Sequence, residues 1–131
     1  MATHPLNLAF RFALECAALW VFARLGISLG EGAVGYGLAI LFVLVAASVW
    51  AVFRTPNDGG RPVVCVAGWT RLILEGALFT LAIGTLLELG DSGVAVLLAG
   101  AVAVHYSFSY DRVARMLRGD KVGKDEAKRE P

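Results

Sequence analysis

A chain of 131 residues that is 57% hydrophobic, with a mean hydropathy of +0.66, cannot hide its apolar side chains in a soluble core of that size and belongs in a lipid bilayer. A formal net charge of +1 gives no electrostatic footprint for nucleic acid, so that partner is not expected. The two cysteines, Cys16 and Cys65, lie far apart; this argues against a redox motif or a disulfide framework, and both read as small apolar packing residues.

The first predicted element covers residues 6–27. Its leader, MATHPLNLAF, has no basic n-region, and Glu15 interrupts the apolar run that a cleavable signal needs, so the helix reads as a retained span. The second, 33–53, falls within a run that carries no charge between Glu31 and Arg54. The third, 63–89, is interrupted by Arg71 and Glu75, and the fourth, 92–112, is uncharged up to Asp111 apart from His105. About 20 helical residues cross a hydrocarbon core of about 30 Å, so each element suffices to span. The links GISLGEGAVGYG, RTPNDGGRP and LELGDSG carry turn chemistry, and Gly26 and Gly30 read as turn residues at the end of the first helix. Short links imply antiparallel neighbours. The predicted fold is therefore all-α, a four-transmembrane-helix antiparallel bundle over residues 1–112, followed by a basic tail, 113–131, helical only at its start and disordered beyond.

With four spans, the N-terminus, the middle link and the tail share one side, and every Lys and Arg except Arg24 lies on it or in the nearer half of a helix. The positive-inside rule then predicts cytoplasmic N- and C-termini. Arg24 falls near the opposite face with Glu31, Glu88 and Asp91.

Two segments raise the functional question. RFALECAAL (11–19) and RLILEGALF (71–79) align arginine, leucine and glutamate, and the helices that hold them run in the same direction, a match that allows duplication of a two-helix hairpin. The four-residue spacing puts Arg11 and Glu15 on one helix face, and Arg71 and Glu75 likewise. An ionised carboxylate facing lipid at that depth costs several kcal/mol or more, so these side chains are expected to face the bundle interior, paired within their own helix or with the opposite repeat. In HYSFSYDR, His105, Ser109 and Arg112 fall at helical spacing, with His105 at a depth comparable with the glutamates; His105 and Ser109 complete a candidate ligand-binding set of Arg11, Glu15, Arg71, Glu75, His105 and Ser109. Two roles compete for it. The pairs either fix helix register or line a site that binds a small molecule or ion, or carries protons. Small-residue stripes, Gly76-Thr80-Gly84 and Ala95-Ala99-Ala103-Ser107, suit close packing within the bundle or in a homodimer. Arg112, Arg115 and Arg118 are within reach of anionic headgroups, although a topology signal alone is the simpler explanation.

NLAFRFALECAAL, ASVWAVFRTP, RLILEGALF and HYSFSYDRV, in this order and spacing, resemble the YrdB-like family of small bacterial membrane proteins with four predicted spans and no established activity. The resemblance covers about residues 6–117 and implies a bacterial inner-membrane location, without a catalytic role to carry across. No His-Glu-x-x-His, Walker, Gly-x-Ser-x-Gly or dinucleotide motif occurs, and His4 and His105 alone do not make a typical metal site. No enzyme and no cofactor is expected.

Overall fold

The computed structural model describes residues 4–54 and 63–118. Expectations for the turn at 55–62, the Cys65 side chain and the tail from residue 119 onward lie outside the described residues. The architecture is an all-α helical bundle: α1 (Pro5–Leu29), α2 (Gly32–Val52), α3 (Gly68–Glu88), α4 (Ser92–Phe108) and α5 (Tyr110–Arg118). Two short strands, β1 (Phe53–Arg54) and β2 (Val64–Cys65), pair in parallel between α2 and α3. The third helix therefore starts at Gly68 rather than at residue 63. The β-branched Val63, Val64 and Val66 around Cys65 favour the extended form that pairs with the end of α2.

α1, α2 and α3 are each long and apolar enough to cross a membrane, and α4 with α5 qualifies only as a pair, bent by 70°. Helices of this length and composition make the chain a multi-pass membrane protein. The fourth predicted helix, 92–112, is broken at Ser109. That residue closes α4 by donating its N–H to the carbonyls of His105 and Tyr106, and its own carbonyl accepts from Arg112 and Val113 to start α5. A serine at a helix start is a common N-terminal choice.

Local chemistry explains the other ends. Pro5 opens α1 with its fixed φ, and His4 Nδ1 accepts from the Leu6 N–H. α3 ends in a Schellman motif, with Gly90 at φ 82° donating to the Leu87 carbonyl and Asp91 donating to that of Leu86.

The core lies between α1, α3 and α4. Leu14, Ala18 and Val21 of α1 meet Phe79, Ala82 and Leu86 of α3 and Ala95 and Leu98 of α4, each set at helical three- or four-residue spacing. α2 flanks this core by packing on α1, and among its residues only Gly35 and Ala39 are buried. Gly26 explains how closely the two helices approach. A Cβ there would stand 2.2 Å from the Ala39 nitrogen and 2.4 Å from its Cα, so Gly26 is a helix-contact residue inside α1 and not part of the turn. Gly30 does mark the helix end. The Gly76-Thr80-Gly84 stripe makes no such contact: nothing lies within 4 Å of a Cβ built at Gly76 or Gly84. Ala95 belongs to the core while Ala103 and Ser107 face outward, as does Cys16 on α1.

Candidate functional site

Glu75 is the centre of a buried ionic cluster. Its Oε1 accepts from Arg11 Nη2 at 3.2 Å and from Arg112 Nη2 at 2.8 Å; its Oε2 accepts from Arg112 Nη1 at 3.1 Å and from the Tyr106 hydroxyl at 3.1 Å. Arg71 Nε lies a further 3.4 Å from Oε1. The carboxylate is only 2% exposed and draws these partners from α1, α3, α4 and α5. Donors on both oxygens and the neighbouring arginines offset much of the cost of burying the charge.

Arg71, 1% exposed, looks both ways. One turn before Glu75 on α3, it stacks its guanidinium 3.6 Å from the Trp50 ring centroid. Its Nη1 donates to the carbonyls of Trp50 at 3.2 Å and Phe53 at 2.6 Å. These carbonyls belong to the end of α2, which has no basic residue in its own last turn. α3 thus supplies the cation that a helix C-terminus favours.

Arg11 connects the two carboxylates. Its Nε donates to Glu15 Oε1 at 2.9 Å while Nη2 reaches Glu75, and its guanidinium carbon stands 5.3 Å from the Trp50 ring centroid. Both arrangements anticipated from sequence are therefore present, the pair within a helix and the pair across the repeats. The repeats are nevertheless unlike. Glu15 keeps 18% side-chain exposure, and its second oxygen accepts no hydrogen bond from a described residue. Gly26 against Ala39 and Gly30 against Gly35 set an antiparallel register that puts Glu15 level with Trp50.

The remaining expected residues join less directly. His105 is buried, with its ring edge-on to Phe10 and Tyr106 at centroid distances of 6.0 and 5.5 Å, and among the described residues Nδ1 finds no hydrogen-bond partner. Ser109 lies outside the Glu75 cluster: its fully buried hydroxyl accepts from Asn7 Nδ2 at 3.0 Å and ties the start of α1 to the α4–α5 corner. Three participants escaped the sequence reading of the site, namely Trp50, Tyr106 and Arg112. In an unbroken helix Tyr106 and Arg112 would point about 120° apart. The break at Ser109 lets both converge on Glu75.

At the opposite end of the bundle Arg24 pairs with Asp91 and sits over Trp20, with 5.0 Å from its guanidinium carbon to the ring centroid. Among the described residues no group of three or more His, Cys, Asp or Glu converges as metal ligands would.

No solved structure matches this chain. A curated relative, "Uncharacterized protein YrdB" of Bacillus subtilis (strain 168), is 32% identical over 121 residues, covering 85% of this chain and 93% of the relative. Residues 9–103, which carry Arg11, Glu15, Trp50, Arg71 and Glu75, match the family described as "Protein of unknown function (DUF2568)". With that match and that relative, the chain belongs to the DUF2568 family of YrdB-like proteins.

Proposed function

We propose that this protein binds a small ligand, or carries one in a proton-linked step, at a charged site inside the cytoplasmic membrane, with both termini cytoplasmic. Glu15 is the accepting group, and Glu75 is the fixed centre that holds the surrounding arginines. The observation that carries this reading is the contrast between the carboxylates: Glu75 has a donor or cation at every side, whereas Glu15 has one oxygen on Arg11 and a second that accepts from no described residue. An open carboxylate oxygen at this depth is costly unless a proton or a donor group occupies it. Glu15 is thus the group with capacity for exchange.

The rival reading, a structural or accessory subunit whose pairs only fix helix packing, is favoured by the same saturation of Glu75. Separate substitutions distinguish the two. With the chain reconstituted in vesicles, Glu15→Gln should leave the thermal transition close to wild type while abolishing pH-dependent solute or proton flux. Flux indifferent to Glu15, or a Glu15→Gln protein that fails to fold, would instead assign both carboxylates to packing.

A further inference from the structure

α5 has a surface that the ionic cluster does not use. About its axis, taken at about 100° per residue, Met116, Val113 and Arg112 share one face. Met116 is buried against the start of α3, where a Cβ on Gly68 would stand 2.7 Å from the Met116 backbone, and Arg112 reaches Glu75. This face fixes α5 to the bundle. Of the residues left outside, Tyr110 and Leu117 fall on one flank and are 71% and 63% exposed. Arg115 and Arg118 fall on the other, both exposed, in the same helical sector as the half-buried Asp111, whose Oδ1 is turned into the interior.

Two geometric facts say where this surface lies. α5 bends 70° away from α4, so with α4 crossing the bilayer α5 runs close to the membrane plane. α4 has 17 residues, or about 25 Å of helix at 1.5 Å per residue, slightly less than the hydrocarbon core. The end of α4 therefore falls at the boundary between hydrocarbon and headgroups, and α5 starts there. An apolar flank carrying a tyrosine beside a flank of two arginines is the composition of a helix lying in the interface. Trp69, 55% exposed in the first turn of α3 where Met116 docks, marks the same level.

We propose that α5 is an in-plane interfacial helix whose Arg115 and Arg118 bind the phosphate groups of anionic phospholipids in the leaflet on the N-terminal side. Tyr110 and Leu117 enter the acyl boundary, and Arg112, on the same short helix, remains on Glu75. The surface is independent of any ligand at Glu15, so failure of either proposal leaves the other standing.

The test uses the full chain in phosphatidylcholine vesicles with trace spin-labelled phosphatidylglycerol or phosphatidylcholine, comparing the motionally restricted fraction of each label. Wild type should retain phosphatidylglycerol preferentially, and Arg115→Gln/Arg118→Gln should lower that preference about fivefold or more, because one basic residue near the surface contributes about a fivefold effect. Arg115→Lys/Arg118→Lys should keep most of it. Equal retention of both labels by wild type would overturn the proposal, as would undiminished preference in the glutamine variant. A preference that inorganic phosphate displaces at constant ionic strength would also overturn it, by assigning the arginines to a soluble anion.

Discussion

Arg112 and Glu75 meet through two parallel hydrogen bonds, Nη1 to Oε2 at 3.1 Å and Nη2 to Oε1 at 2.8 Å, although one residue lies on α5 and the other on α3. This fork ties the first turn of the chain's last described helix to the centre of the bundle. Replacing Arg112 with leucine strips the buried carboxylate of its bidentate partner and should destabilise the protein by about 3 kcal/mol, the lower end for a broken buried pair because Arg11 and Arg71 remain. Arg112→Lys should recover less than half of that loss, since an ammonium cannot reproduce the fork. Thermal unfolding in detergent measures both.

The unequal surroundings of the two glutamates predict unequal coupling. A double-mutant cycle on Arg112 and Glu75 should give about 2–3 kcal/mol, whereas a cycle on the half-open Arg11–Glu15 pair should give less than about 1 kcal/mol. Equal coupling energies would mean that the two repeats are interchangeable and that Glu15 has no special capacity.

Gly26 and Gly84 predict opposite signs for one chemical change. Adding a methyl group at Gly26 drives it into the Ala39 backbone, which no side-chain rotation relieves, so Gly26→Ala should cost about 1–3 kcal/mol or more and loosen α2 from α1. Gly84 sits in a helix with open space about its Cα, and Gly84→Ala should be neutral or stabilising by up to about 1 kcal/mol. Chemical denaturation of the two variants side by side checks the contrast.

Arg71 holds the end of α2 from another helix. Arg71→Lys removes the stacked plane over Trp50 and the fixed geometry of the bonds to the Trp50 and Phe53 carbonyls. Amide hydrogen exchange should accelerate in the last turn of α2 and remain unchanged near Gly35 and Ala39, where α1 provides the packing. Uniform acceleration along α2 would show that Arg71 supports the whole helix.

How much of this was legible in the sequence depended on whether the signal was local. Charge-free runs marked α2 and α4, and a four-residue spacing was enough to bring Arg11 to Glu15 and Arg71 to Glu75. The fork from Arg112 was hidden because helical phase, extended through Ser109, aims that side chain away from Tyr106; only the 70° break reverses it. Gly26 reads as a turn residue because a glycine near a helix end suits a turn as well as a close contact, and Ala39, which decides between them, lies 13 positions further along the chain. The difference between Glu15 and Glu75 was beyond sequence for a related reason. Identical motifs give identical helical faces, and what distinguishes them is how many other helices arrive opposite.

The i,i+4 spacing has a consequence for how the protein is made. α1 and α2 leave the ribosome before α3 exists, and at that stage Glu15 already has Arg11 one turn away as a counter-charge within the same helix. Glu75 enters with Arg71 under the same arrangement. Neither helix therefore has to present a naked carboxylate to the insertion machinery, and the bonds from Arg11 and Arg112 to Glu75 can form after all the helices are in the lipid. Moving either arginine off its helix face, while preserving its reach to Glu75 in the finished bundle, would then reduce the yield of inserted protein without altering the stability of the molecules that do assemble.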